Sequence, residues 1–263
     1  MRALGIETSG TACRVAKLEV KGKPCSYAEV MRTARVVERN YSGDAARHSE
    51  ALWGLLDSVL TSSPSPRVLR GYAGREAAIN NLSTSIAESS RPEVGVRGPN
   101  GKAGGRLSIA DFDVIAVSLG PGSFTGLRVG LAAAKVFAQF GGVALAGVPT
   151  LEAMAAEASL GGEVGWCVTA LDAKRGEVYA ALFRCLPRGV RKVAGPRVCL
   201  PEDAARRVPP GTPVLAEPPR ASAVAALGLL RFLAGKRDDP RTLVPLYVRR
   251  PEAVERLRKK RKA

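Results

Sequence analysis

Asp113-Val-Ile-Ala-Val-Ser-Leu119 runs directly into Gly120-Pro-Gly-Ser-Phe-Thr-Gly-Leu-Arg128. The first part is a continuous, β-branched apolar run, which reads as a strand buried on both faces of a sheet. The second part is turn chemistry that opens a helix reaching about Phe140. Gly120 and Gly122 permit positive φ and close backbone approach. With the free N–H groups and positive dipole end of the helix behind them, Gly120, Gly122, Ser123 and Arg128 form a candidate anion cradle. A tight strand–helix turn with no ligand uses the same residues, and the sequence leaves both readings open. The loop is not a Walker A motif, because no Gly-Lys-Ser/Thr follows. It is not Gly-x-Gly-x-x-Gly either, because the third glycine, Gly126, arrives one residue late.

Upstream, residues 3–8 read as a buried strand ending at the acid Glu7, with Thr8-Ser9-Gly10 as turn material. Residues 12–20 predict a second strand and 26–33 a third. Leu52, Leu55, Leu56 and Val59 fall at helical spacing, with Asp44 as the expected N-cap. Residues 63–106 are rich in Ser, Gly, Arg, Asn and Pro and read as a flexible insertion, with one short helix expected at 76–88. Downstream, Val143–Val148 predicts another buried strand, and Thr150 is expected to cap a helix through Ser159. Three strands followed by alternating helix and strand make an α/β layout around a mixed sheet.

A second copy of the opening pattern starts near residue 164. Trp166-Cys-Val-Thr-Ala-Leu-Asp172 is an apolar run ending in an acid, Lys174-Arg175-Gly176 turn, and Val178–Phe183 runs back. Laid on residues 3–18, Glu7 falls on Asp172 and Gly10 on Gly176. This predicts a duplicated βββαβα unit. The second copy is the poorer one, with weak helices expected at 202–207 and Ala221–Leu233.

Composition limits the chemistry. The chain has 263 residues, 46% of them apolar, which is enough for a core. Its five cysteines form no Cys-x-x-Cys pair, so zinc-ribbon and thioredoxin readings fail on spacing. It has one histidine, His48, so a mechanism that needs two histidine ligands is excluded. No apolar run reaches the ~20 residues of a membrane helix, and the acidic seventh residue does not fit a signal peptide. The expectation is a cytoplasmic protein that does not engage a membrane. The formal net charge is +16. Residues 249–263 hold eight basic and two acidic residues (+6), and residues 62–110 hold seven and three (+4). Such runs are either solvated segments or the footprint of nucleic-acid binding.

Two helices carry further signals. Gly126, Gly130 and Ala134 sit four apart on one face, a spacing that lets another helix approach closely. Trp53 lies beside the Leu52/Leu56/Val59 stripe. Packing within the chain and a subunit interface both fit these patterns.

Several segments together resemble the TsaB (YeaZ) family. They are Gly5-Ile-Glu-Thr-Ser9, His48-Ser-Glu-Ala-Leu52, Gly120–Gly130, Gly147-Val-Pro-Thr-Leu151, Leu171-Asp-Ala-Lys-Arg-Gly-Glu-Val-Tyr179 and Leu246-Tyr-Val-Arg249. That family is the dimerisation subunit of the bacterial machinery that makes N6-threonylcarbamoyladenosine in tRNA. The resemblance implies an actin/Hsp70-like ATPase fold with a reduced second lobe. Residues 1–62 and 107–150 would form the first lobe, 63–106 an insertion, 151–248 the second lobe and 249–263 a basic tail.

The resemblance also implies a partner. The catalytic subunit TsaD carries a His-x-x-x-His metal motif, which a chain with one histidine lacks. This chain would bind and activate TsaD for threonylcarbamoyl transfer to the adenosine beside the anticodon, with TsaE and tRNA in the complex. Self-association in isolation would use the same surface. The implied interface residues are Leu52, Trp53, Leu56, Val59, Gly126, Val129, Gly130, Ala133 and Ala134. Glu7, Thr8, Gly120, Gly122, Ser123 and Arg128 are the candidates for an anion or nucleotide, and ATP or ADP at the partner interface is the candidate cofactor. No catalytic or metal-binding residue is expected, and the chain is read as a required subunit, not an enzyme by itself. Two alternatives stay open: an active ATPase of this fold, motivated by Glu7, Asp172 and the glycine loop, and an RNA-binding module acting through the basic tail.

Overall fold

The structure is a computed structural model. It describes residues 1–42, 48–62, 107–161, 165–187, 189–206 and 208–249. The expected cap Asp44, the expected helix at 76–88, the insertion at 63–106 and the tail beyond Arg249 lie outside the described residues.

The first sheet contains β1 (Arg2–Glu7), β2 (Ala12–Glu19), β3 (Arg35–Ser42), β4 (Val114–Gly120) and β5 (Ala144–Pro149). Its order is β3-β2-β1-β4-β5. The β1–β2 and β2–β3 pairs are antiparallel, and β1–β4 and β4–β5 are parallel. The second sheet contains β6 (Trp166–Asp172), β7 (Val178–Leu186), β8 (Gly189–Cys199) and β9 (Val214–Leu215), in the order β8-β7-β6-β9. It repeats the first order without a fifth strand among the described residues, and its fourth strand has only two residues. This is the actin/Hsp70-like duplication with a reduced second lobe.

The third strand is not where the sequence reading put it. Residues 27–33 form helix α1 (Tyr27–Thr33), and β3 follows it. The Ser26 hydroxyl accepts from Glu29 N–H at 3.2 Å, and the Glu29 carboxylate accepts from Cys25 N–H at 2.9 Å. Ser26-x-x-Glu29 thus closes the first turn from both sides, in the manner of a capping box, and overrides the apparent alternation. Thr150 is also corrected: it is the first residue of its helix, and its hydroxyl accepts from Gly120 N–H at 3.1 Å.

Helices α2 (His48–Thr61) and α3 (Phe124–Gly141) cover one face of the first sheet. Leu52, Leu56, Val59, Leu131 and Ala134 pack there with Leu4, Ile6, Val15, Ile115 and Val117. The chain leaves α2 and returns at neighbouring points, since Leu107 N–H donates to Leu60 O at 3.1 Å. Helix α4 (Thr150–Ala158) packs on the second sheet through Leu151, Met154 and Ala155, against Cys167, Leu171, Ala181 and Phe183. Helix α5 (Pro201–Ala204) packs on the other face of that sheet through Ala204, in a small cluster with Val168 and Ala180 that Val178, Leu182 and Cys199 border.

The last helix, α6 (Ala221–Leu233), crosses back to the open face of the first sheet. Small residues allow the approach: a Cβ on Gly5 would lie 2.2 Å from Ala221 O, and one on Gly228 would lie 2.3 Å from Ala116 Cβ. Glu38 of β3 caps this helix, accepting from Ala221 N–H at 2.8 Å and from the Ser222 hydroxyl at 2.7 Å. Glu38→Ala leaves those donors without their charged partner. It should cost about 2 kcal/mol, read as a lower urea midpoint at unchanged slope.

Candidate functional site

The two lobes face each other across a cleft of about 720 Å³. One wall is the β1–β2 turn with the glycine loop, and the other is the β6–β7 turn. Residues Leu246–Arg249 line it as well.

The glycine loop is already occupied. Gly120 has φ +102° and precedes a cis Pro121. Ser123 N–H donates to Ser9 O at 2.6 Å, and a Cβ on Gly122 would lie 2.3 Å from that same oxygen. The Ser123 hydroxyl accepts from Gly126 N–H at 3.3 Å. The partner at this loop is therefore the carbonyl of the β1–β2 turn, an acceptor where an anion would need donors. Gly122 and Ser123 are thus packed against the β1–β2 turn, while Phe124 and Thr125 of the helix start line the cleft.

Glu7 and Thr8 lie beneath the loop, fully buried. Glu7 Oε1 accepts from Ser9 N–H at 2.6 Å, and Oε2 has no hydrogen-bond partner among the described residues. Burial pushes the Glu7 carboxyl above its ordinary value of 4.5, against the opposing pull of the Ser9 hydrogen bonds. The folded state then keeps this proton to higher pH than the unfolded chain does. The stability it contributes is complete below the unfolded carboxylate range and is lost as pH rises through the folded value. Glu7→Gln keeps an acceptor for Ser9 and removes the titration. It should flatten the fall in melting temperature on going from acid to neutral pH.

The matching acid of the second lobe behaves differently. Asp172 is exposed, and both its oxygens are taken by Lys174: Oδ1 by the backbone N–H at 2.7 Å and Oδ2 by the ammonium at 2.9 Å. Those hydrogen bonds hold its carboxyl below the usual range. Glu7 is sealed and Asp172 is engaged, and no group of three His, Cys, Asp or Glu side chains converges among the described residues. These residues do not fit a magnesium-bound nucleotide of the kind that active members of the fold would hold. Arg128 stands at the cleft rim, with its guanidinium 3.9 Å from the Phe124 ring centroid and Nε 3.2 Å from the Tyr247 hydroxyl.

The residues expected at a partner surface divide into two sets. Leu52, Leu56 and Val59 point into the sheet. Gly126 and Gly130 face β1: their Cβ atoms would lie 2.0 Å from Thr8 O and 2.3 Å from Thr8 Oγ1. Ala133 and Ala134 are buried as well. The small-residue stripe is thus an internal contact, a correction to the interface expectation. Trp53 is 55% exposed, and Val129 is half-buried at the surface.

The sequence reading missed the apolar residues beside them. Phe140 is 82% exposed, Val136 is exposed, and Phe137 packs edge-on against Trp53 with centroids 5.6 Å apart. The helical period does not mark Phe140, which is fourteen residues from Gly126 and only about 40° from it around the helix; its place at the end of α3 leaves it in water.

Comparison with known proteins agrees with this fold. Residues 103–234 match the model of a family described as TsaD: tRNA N6-adenosine threonylcarbamoyltransferase. An uncharacterised protein of Mycobacterium tuberculosis is 37% identical over 164 residues, covering 56% of this chain and 69% of that protein. The tRNA threonylcarbamoyladenosine biosynthesis protein TsaB of Escherichia coli is 36% identical over 83 residues, covering 32% of this chain and 36% of that protein. The TsaB of Bacillus subtilis is 36% identical over 75 residues, with 28% and 31% covered. The crystal structure of YeaZ from Pseudomonas aeruginosa superposes with a TM-score of 0.64 at 17% identity, over 94% of this chain and 99% of that one. The chain belongs to the family that the threonylcarbamoyltransferase model describes, and it shares its fold with YeaZ.

Proposed function

We propose that this chain is a non-catalytic partner subunit in the formation of N6-threonylcarbamoyladenosine in tRNA, binding and activating a TsaD-type catalytic subunit. One observation carries the reading: the outer side of α2 and α3 presents an apolar aromatic surface, built from Trp53, Phe137, Phe140 and Val136, over a well-filled interior. Large apolar side chains grouped in water mark a surface that a partner covers. The chemistry of the cleft points the same way, because its two matching acids are buried or ion-paired. Val129 sits on the same surface and extends it toward the glycine loop. TsaE and tRNA would join the assembly through the catalytic subunit, and in isolation the same face would pair with a second copy.

Size-exclusion chromatography of the chain mixed with the TsaD-type protein of its own organism tests this reading. A 1:1 species that replaces the isolated chain's self-associated peak is the expected result. Two unshifted peaks at micromolar concentration would remove it. The ATPase alternative predicts nucleotide binding by the chain alone, and calorimetry with ATP and magnesium should show none.

A further inference from the structure

The second sheet has one face under α4 and another that α5 covers only in part. On that second face the strand register lines up three side chains. Trp166 of β6 pairs with Arg184 of β7, and Arg184 pairs with Arg191 of β8. Directly opposed residues of antiparallel strands share a face, so Trp166, Arg184 and Arg191 form one row across three strands. The Arg184 guanidinium lies 5.8 Å from the Trp166 ring centroid. Both arginines are exposed, and neither forms an ion pair with a carboxylate among the described residues. Arg197 continues the face, and Arg206 borders it through Asp203.

Two like charges held directly opposite on neighbouring strands disfavour the fold. Among the described residues no carboxylate offsets them. Residues 166–199 hold seven basic and two acidic residues, so 7 − 2 gives +5. A polyanion would offset this charge, and the adjoining indole adds a flat apolar surface that a carboxylate-rich protein does not need. Guanidinium groups beside an aromatic ring are the combination that holds a single nucleic-acid strand, with phosphates on the cations and a base on the ring.

We propose that the face formed by Trp166, Arg184 and Arg191 binds single-stranded nucleic acid, with successive phosphates on the two arginines and a base stacked on Trp166. The inference stands on the second lobe alone and does not depend on the partner surface at α2 and α3.

The test uses the full chain and fluorescein-labelled 12-nucleotide oligo(U) RNA, with the DNA oligomer as a parallel arm. Anisotropy is read between 50 and 200 mM salt. Each phosphate contact to a single strand contributes about 0.7 to the log–log salt slope, so Arg184→Ala/Arg191→Ala should make it shallower by about 1.4. Arg184→Glu should weaken binding at least ten-fold while its melting temperature stays level or rises, because it places unlike charges opposite one another. A structural role would move stability in the other direction. In a Trp53→Phe background, Trp166 is the only tryptophan, and its emission should be quenched as the oligomer saturates. An unchanged slope in the double variant, or unchanged Trp166 emission at saturation, would overturn the proposal. So would equal quenching by oligo-glutamate, which would assign the face to an acidic protein. Binding of both oligomers supports the stated class, and binding of the RNA alone narrows it to RNA.

Discussion

Phe140→Lys should lower the affinity for the TsaD-type partner by at least ~30-fold and leave the melting temperature of the isolated chain unchanged. Phe140 is 82% exposed near the end of α3, so it contributes almost nothing to the interior. An exposed aromatic removed from water by a partner is a typical anchor, and losing one costs about 2 kcal/mol or more. Lysine also brings a charge that the partner would have to desolvate. It is the better replacement for a stability control, because a cation near a helix C-terminus is favoured by the helix dipole. Isothermal titration of the two proteins reads the affinity, and a thermal melt of the variant alone reads the fold. Unchanged affinity would place the partner elsewhere. A lower melting temperature would show that the ring serves the fold. Trp53 and Phe137 form the adjoining pair, so Trp53→Ala should weaken the complex as well.

Gly126→Ala should destabilise the chain by about 3 kcal/mol, a loss of roughly 10 °C in melting temperature. Helix propensity alone predicts the opposite sign, since alanine is favoured over glycine by about 1 kcal/mol inside a helix. The deciding term is steric. The added methyl would sit 2.0 Å from the carbonyl oxygen of Thr8, and backbone cannot swing aside as a side chain does. The helix must lift off β1, opening the contact that also seats Gly130 on the Thr8 hydroxyl. Gly54 of α2 is the matched control. A Cβ there meets nothing within 4 Å, so Gly54→Ala should stabilise by about 1 kcal/mol. Two helical glycines given the same substitution should thus respond with opposite signs. If Gly126→Ala only dissolved the complex and left the chain stable, the small-residue face would be external after all.

Much of the architecture was legible because it is written in local pattern. The apolar run at 113–119, the loop at 120–126 and the paired strand–acid–turn units at 3–18 and 166–183 are all where the periodicity puts them. The failures have local causes too. Residues 26–33 alternate like a strand, yet Ser26 and Glu29 supply the cap that nucleates α1. The residues of β8 are mostly exposed, so no apolar alternation marked it. The cleft was legible only as a set of residue types. Gly122 and Ser123 have the chemistry of a phosphate loop, and no sequence pattern could show that the Ser9 carbonyl fills it.

By itself the sequence determined the strand–loop–helix order, the duplication and the exclusion of a two-histidine metal site. These follow from periodicity and from a count, which hold whatever the chain packs against. Tertiary structure decided which face of each helix is inside. Gly126 and Gly130 are equally compatible with a neighbouring subunit and with β1, since a missing side chain attracts nothing by itself. Only the approach of Thr8 selects the inward choice. The exposure of Trp53, Val136 and Phe140 is likewise a tertiary outcome, set by where α2 and α3 sit on the sheet. The same holds for α6, whose small apolar residues could cover either sheet. It returns to the first because Gly5 and Gly228 permit close contact there and Glu38 caps its first turn.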